Sequence, residues 1–530
     1  MVRNNRNNND NGGGVYVLPE GSRRTKGSDA QRANIEAAKL VSETVRTTLG
    51  PKGMDKMIVS DLGDIVVTND GVTILNELNI THPIGKMIVD IAKTQESEIG
   101  DGTTTAVILA GELMKKAELL LDQDIHPTII AKGYKLAADK AIELLEKEAE
   151  IVDDEESLRK IACTSMTGKG TEDAKHILEK VVVEAINDVE NKKDVKLEKA
   201  IGESIEKTSL IKGIVIDREK VHNNMPSLVN NAKIALIDEP IEIKSTEMDA
   251  KLSISSPEQM QQFLDMEQNM LKKFVDKIIS LGATVVICQK GIDELAQHYF
   301  AKAGILAVRR TRRSDLIRIA KATKAKIISK VEEATSEYLG SAGVVSQEKI
   351  GNNEMIFIKD CKNAKAVTIL VKGNTEQIAN ETQRALEDAI GVCFSVKKDK
   401  KVVGGAGAPE IMISKKLKEF ANTLTGREQL AVNNFAEALE IVPRTLAENS
   451  GIDPIDALTT MKAGKYKWTG INVFTGKTID SWKENIIEPL KIKTQAISSA
   501  SEVAMMILRI DDVISAEPAI NKQSEPRLDM

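Results

Sequence analysis

The chain has 530 residues, 42% hydrophobic, 29% charged and only 3% aromatic, with a formal net charge of -6. That length suits several globular domains with cores of Ala, Val, Ile, Leu and Met, and the net negative charge argues against a dominant nucleic-acid surface. No run of about 18 apolar residues suits a membrane span, and the four cysteines (Cys163, Cys288, Cys361, Cys393) form no CxxC pair, which argues against a zinc site or disulfide framework and fits a reducing cytosol.

The Asn/Gly-rich opening, MVRNNRNNNDNGGG, lacks an apolar leader segment and reads as a solvated tail. Residues 31–50 carry an apolar stripe (Ile35, Ala38, Val41, Val45, Leu49) at helical spacing, stopped by Gly50, Pro51 and Gly53. Two short strands follow, around 56–59 and 64–68, joined at Asp61-Leu62-Gly63 as a hairpin, with Asn69-Asp70-Gly71 as a second turn. Helices are expected from there to about residue 150.

The segment GDGTTTAVILAGELM opens one of them. Ala106, Val107, Ala110, Leu113 and Met114 follow Thr105 at helical spacing, so Gly100 to Thr105 sit at a helix N-terminus. Unpartnered N–H groups there favour an anion, glycine permits close approach, and threonine hydroxyls donate. Asp101 would repel a bare phosphate but suits a hard cation bridging to one. An ordinary helix cap is the alternative reading, although a cap needs one such residue rather than this run.

From about Gly213 to Val371 short apolar strands (GIVI, KIALI, ATVVICQ, GILAV, KIISK, MIFI, AVTILV) alternate with helices, which predicts an α/β domain. Within it Ser256-Pro257-Glu258-Gln259 has the form of a capping box, opening a helix that either projects or packs on the sheet. After residue 404 the chain is again mainly helical and ends in a polar tail, SAEPAINKQSEPRLDM. The stretch Gly470-INVFT-Gly476-Lys477-Thr478 imitates a P-loop but has five residues between its glycines instead of four, so it is rejected. What remains is a scattered set of glycine-rich turns, TTLGPKG, NDG, GDGTTT and VVGGAGAPE, more persuasive together than singly.

TTLGPKGMDKMIV, VTNDGVTIL, GDGTTTAVILAGELM, IHPTIIAKGY and VVGGAGAPEI, in this order, resemble the chaperonins. GIVIDREKVHNNMP and SPEQMQQFLDMEQNMLKKFVDKI are similar to the group II branch, the archaeal thermosome and the eukaryotic cytosolic chaperonin. The resemblance runs from about residue 17 to 515. It implies a multi-domain α+β and α/β chaperonin fold. A mainly helical equatorial ATPase domain would take 1–149 and 404–530, a small intermediate hinge domain 150–216 and 371–403, and an α/β apical substrate domain 217–370. A helical protrusion at about 247–278 would serve as a built-in lid, so no separate co-chaperonin is expected.

The resemblance further implies an ATP-dependent chaperone subunit of the cytoplasm that forms a double ring with identical or closely related subunits and encloses non-native proteins, without nucleic acid or membrane. The cofactors would be ATP and Mg²⁺, with K⁺ a further candidate. Leu49, Gly50 and Pro51 would line the nucleotide, Asp101 would bind Mg²⁺, and Gly102, Thr103, Thr104 and Thr105 would hold the phosphates. Asp70 would stand near the γ-phosphate, and Asp388 would be the catalytic aspartate that orients or deprotonates the attacking water. Lys169 would sense the γ-phosphate, Gly405 would contact the nucleotide, and Glu488 and Lys493 would lie near the ribose and base. Read alone, Asp388 is a solvent-facing helical carboxylate and Glu488 with Lys493 a surface salt bridge.

One departure stands out: the family usually shows three consecutive glycines where this chain has Gly404-Gly405-Ala406-Gly407. If residue 406 needs a positive φ, alanine costs on the order of 1 kcal/mol there. Tyr299 and Phe300 are either client-facing or core residues, and the arginines of VRRTRRSD read as a solvated or salt-bridged face. A metabolic ATPase or kinase, and a holdase without turnover, remain the rival readings.

Overall fold

The computed structural model describes residues 23–59, 63, 65–242, 257–351, 353–362 and 364–515. The Asn/Gly-rich opening, the hairpin tip at Asp61-Leu62, the Ser256 cap, the part of the expected protrusion before Pro257 and all but the first residue of the polar C-terminal tail lie outside them. Among the described residues no helix is long and apolar enough to cross a membrane.

The first core is helical and draws on both ends of the chain, from Ile35 to Leu145 and from Val403 to Leu508. Helix Gly27–Arg46 lies against Thr103–Leu121, and Gly111 makes that approach possible, because a Cβ there would stand 1.9 Å from Ser42 Oγ. Tyr134 meets Phe435 edge-on, with centroids 5.6 Å apart, and its hydroxyl donates to the Leu113 carbonyl at 2.8 Å. Outside the helices, Arg23–Lys26 pairs antiparallel with Asp512–Ser515, joining the two ends directly.

The first helix starts and stops earlier than its apolar stripe. Thr48 Oγ1 donates to the Val45 carbonyl at 2.8 Å and Asn449 Nδ2 to the Arg46 carbonyl at 3.1 Å, satisfying the last turn before Gly50 swings to φ 86°. The hairpin of Lys56–Val59 and Ile65–Thr68 forms as expected. Asn69-Asp70-Gly71, however, is not a simple turn: Asp70 caps helix Gly71–Glu77 by accepting from Thr73 N at 2.8 Å.

A second core joins helices Glu155–Met166, Lys175–Asp188 and Glu376–Asp399 to a three-stranded sheet. In it Val367–Gly373 runs parallel to Val195–Ile201 and antiparallel to Ser209–Ile211. The AVTILV strand therefore leaves the α/β unit it seemed to end.

The α/β unit itself is a mixed seven-stranded sheet. Its order is Leu306–Val308, Val285–Cys288, Leu228–Ile237, Gly340–Ile350, Asn353–Lys359, Gly213–Ile216, with Ile327–Ile328 beside the end of Leu228–Ile237. Strand Gly340–Ile350 was hidden in the sequence, since its Gly and Ser residues weaken any strand signal. The C-terminal half of helix Pro257–Ser280 takes the packed alternative. Leu271, Val275 and Ile278 are buried against the sheet, while Met266 and Met270 nearer its start are exposed. Phe300 is fully buried and so is core, while Tyr299 is half-buried against the same cluster. Arg313 pairs with Asp238 at 2.9 Å, as a salt-bridged face would.

Candidate functional site

A cavity of ≈ 730 Å³ lies between the helical core and the second core. Leu49, Gly50, Pro51, Asp70, Asp101, Gly102, Thr103, Thr104, Thr105, Lys169, Glu488 and Lys493 all line it. Two of the expected residues sit one step back. Asp388 meets the cavity through Lys169, and Gly405 lies behind Ala406 and Gly407, which form the wall.

Two helices open toward this space in the same way. Thr103–Leu121 begins after Gly102 at φ 80°, and Ala408–Ala421 after Gly407 at φ 75°; neither has a side-chain cap. First-turn N–H groups without a cap, at the positive end of a helix dipole, make an anion site. The Gly71 helix starts against the first of these, because a Cβ on Gly71 would stand 2.6 Å from Thr104 Oγ1.

Asp101 is held from three sides. Its Oδ1 accepts from Gly102 N at 2.8 Å, its Oδ2 from Ser165 Oγ at 2.9 Å, and Lys169 Nζ stands 3.4 Å from Oδ1. Its carbonyl accepts from Gln95 Nε2 at 2.9 Å; that buried amide also reaches the Ile492 carbonyl at 3.3 Å, tying the turn to the helix that carries Lys493. Lys169 is delivered by the Thr167–Gly170 turn, which docks on the Gly50-Pro51 loop. A Cβ on Gly168 would lie 2.7 Å from Pro51 Cα, and Asn69 Nδ2 donates to the Gly168 carbonyl at 2.8 Å.

Asp388 pairs with Lys169 from helix Glu376–Asp399 and is buried rather than solvent-facing. Burial pushes its carboxyl well above the usual range, against the pull of Lys169. Burial works against the Lys169 ammonium too, but Asp101 and Asp388 outweigh it, so the lysine stays charged. Glu96 was missed in the sequence: burial, with Asp70 and Asp101 nearby, pushes its carboxyl up to about 7.

At the other end Lys493 is a buried cation, 2.6 Å from Glu488 and 3.0 Å from Glu410. Burial lowers its proton affinity less than the two carboxylates raise it, while burial pushes Glu488 up. The pair is therefore internal rather than a surface salt bridge, and Glu410 was missed because its partner lies 83 residues away (493 − 410).

Ala406 has φ 57°, so the backbone there does adopt the left-handed region. Its carbonyl accepts from Ile471 N at 3.1 Å, and a Cβ on Gly470 would come within 2.9 Å of the Ala406 Cβ. The rejected P-loop imitation instead forms a hairpin, Thr469–Ile471 with Thr478–Asp480, whose loop walls one side of the cavity.

The donor set fits a nucleotide with Mg²⁺. Among the described residues no three His, Cys, Asp or Glu side chains converge as a metal cage. Mg²⁺ commonly takes one or two carboxylates and completes its shell with phosphate oxygens and water, and Asp101 beside three threonines offers that arrangement.

The TCP-1/cpn60 chaperonin family matches the chain over residues 41–518. A thermosome subunit of Methanopyrus kandleri is 55% identical over 517 residues, covering 95% of each chain. The thermosome subunit beta of Methanothermobacter thermautotrophicus is 56% identical over 509 residues, again 95% of each. The thermosome subunit alpha of Archaeoglobus fulgidus is 54% identical over 527 residues, 97% of this chain and 96% of the other.

Proposed function

The chain belongs to the TCP-1/cpn60 chaperonin family, and from that premise we propose that it is an ATP-hydrolysing subunit of a group II chaperonin that closes a built-in lid over non-native proteins. The observation that carries the site reading is the meeting of Asp101 and Asp388 on one ammonium, Lys169, beside an uncapped helix N-terminus in a ≈ 730 Å³ cavity.

The proposed roles follow from placement. The N–H groups and hydroxyls of Thr103, Thr104 and Thr105 bind phosphate oxygens. Asp101 holds Mg²⁺, which when bound neutralises phosphate charge and orients the terminal group. Asp388, with a carboxyl raised by burial, takes a proton from the attacking water or orients it. Asp70 keeps one oxygen on its helix cap and faces the same space. Lys169 stands between Asp101 and Asp388; a γ-phosphate would compete with these carboxyl groups for it, so the ammonium reports which nucleotide is present. Leu49, Gly50, Pro51, Ala406 and Gly407 enclose the ligand, with Gly405 supporting them and Glu488 and Lys493 at the ribose and base end. For K⁺ the reading rests on the resemblance alone.

Three bodies are assigned to these roles: an equatorial unit from both chain ends, a hinge unit and an apical unit built on the seven-stranded sheet. The separate cores support this division. In the apical unit the exposed methionines of helix Pro257–Ser280 suit contacts with neighbouring lids or with clients. Related subunits form a ring, here a cytoplasmic double ring, and closed symmetry satisfies its repeated interfaces.

Mass photometry of the purified chain with and without ATP and Mg²⁺ tests the assembly, and refolding of a denatured client with ATP tests the activity. A double-ring particle that refolds clients only with hydrolysable ATP is the expected result. A 57.8 kDa monomer with full ATPase activity would overturn it in favour of a metabolic ATPase.

A further inference from the structure

Residues 100 and 391 lie at a seam of the site, where the turn carrying Asp101 meets the helix carrying Asp388. Neither has a side chain, and neither can gain one. A Cβ on Gly391 would stand 2.5 Å from the Ile99 carbonyl and 3.3 Å from Gly100 Cα, and Gly100 itself has φ 91°. The seam thus sets the turn of Asp101 directly against the helix of Asp388.

A second lysine stands at the seam from outside the cavity. Lys192 Nζ lies 3.0 Å from the position a Cβ on Gly100 would take and 2.8 Å from that on Gly391. Its charge acts on Glu96, opposing the burial that raises that carboxyl. Lys192 opens a single 3-10 turn, Lys192–Asp194, which leads directly into strand Val195–Ile201. That strand pairs with Val367–Gly373, and three residues later the Asp388 helix begins at Glu376.

The other side of the same turn grips the α/β unit. Asp194 is buried and pairs with Lys321 at 2.6 Å, and the Lys193 carbonyl accepts from Arg318 Nε at 3.0 Å. Two residues on, the buried Lys196 pairs with Asp315 at 3.1 Å and donates to the Val215 carbonyl at 2.8 Å. Asp315, Arg318 and Lys321 are spaced by three along helix Arg313–Thr323 and so share one face. Five residues, 192–196, thus touch the nucleotide seam at one end and a whole helix face at the other.

We infer that the Lys192–Lys196 segment is a strut between the nucleotide cavity and the client-side sheet. In it Lys192 is a positioning residue for the Asp101 and Asp388 seam, and Asp194 and Lys196 carry seam movement to helix Arg313–Thr323. The inference rests on the ATP reading of the cavity. A change of charge in the cavity shifts the Gly100 turn against the Asp388 helix, and Lys192 moves with them. The short turn is held at both ends, so it passes the displacement on rather than absorbing it.

The test uses the assembled full-length protein with ATP and Mg²⁺. It reads kcat, KM for ATP, and ATP-dependent protection from trypsin at Lys272 and Lys273, which are exposed in the Pro257–Ser280 helix. Lys321→Met, with Lys321→Gln as a second variant, is expected to keep kcat and KM within about twofold while protection falls about fivefold. Lys192→Met is expected to lower kcat per ATP-binding site about tenfold with KM little changed, and Lys192→Arg to restore most of it; counting sites by ATP-binding stoichiometry separates this from a loss of folded protein, which would lower the number of sites and leave kcat per site unchanged. Wild-type protection in both Lys321 variants, or wild-type kcat in Lys192→Met, would overturn the strut alone. Wild-type protein that takes up no ATP would overturn the strut and the cavity reading together.

Discussion

Lys169 and Asp388 are 219 residues apart in the chain and form an ion pair beside the cavity, with Asp101 on the other side of the same ammonium. The lysine comes from a turn docked on Pro51, and the aspartate from a helix that reaches the cavity across the glycine seam. Replacing Asp388 with Ala should leave ATP binding intact and lower kcat by about 10²–10⁴-fold, the range for loss of a general base. Single-turnover hydrolysis beside an ATP binding isotherm checks this; unchanged turnover would remove Asp388 from the chemistry.

Glu96 should give the nucleotide-free protein a pH dependence of its own. Its folded carboxyl is raised to about 7, mainly by burial, so the neutral form is favoured by folding. The stability it contributes is full below the unfolded value, is lost as pH rises through about 7, and changes little above that. After screening by solvent, the swing is on the order of 1 kcal/mol. Glu96→Gln should therefore gain on the wild type by that amount between pH 5 and 8, read from urea midpoints. Parallel curves would refute the assignment.

Lys493 should be structurally costly to remove. Lys493→Met leaves Glu410 and Glu488 buried without their cation, a loss of about 3–5 kcal/mol at neutral pH. The loss should shrink toward pH 5, because a neutral carboxyl is far cheaper to bury. Denaturation of both proteins at the two pH values measures it, and a loss independent of pH would mean that the carboxylates are not the cause.

Ala406 carries a left-handed strain of about 1 kcal/mol that glycine would relieve, offset in part by glycine's freedom in the unfolded chain. Ala406→Gly should come out about 0.5 kcal/mol more stable. Ala406→Val should be worse than wild type, since a β-branched side chain at positive φ is strongly disfavoured. If the glycine variant melts lower, the packing of the Ala406 Cβ against Gly470 outweighs the strain.

Much of the site was readable as local pattern. Gly100 to Thr105 announced a helix N-terminus through the run of glycines and hydroxyls, and the turn at Gly50-Pro51 through its breakers. Asp388 was not legible as a buried acid, because one carboxylate in a helix of mixed charge looks solvated until the Gly100–Gly391 contact is known. Ser165, Gln95, Glu96 and Glu410 were missed for the same reason: each acts on a residue that another element brings to it. Asp70 was misplaced as part of a turn, since Asn-Asp-Gly serves a turn and a helix cap equally well and only Thr73 N decides between them.

The sequence by itself determined the periodic helices, most strands of the α/β unit and the anion-binding character of the Gly102 turn, because these depend on spacing within a few residues, and the family through the resemblance of its motifs to the chaperonins. Tertiary structure alone decided that AVTILV joins the three-stranded sheet of the second core, that Phe300 is core, that Ala406 is strained and that one lysine joins two distant carboxylates. Those outcomes depend on which surfaces exclude water and which backbones can touch, and both follow from packing between segments hundreds of residues apart rather than from the order of neighbours along the chain.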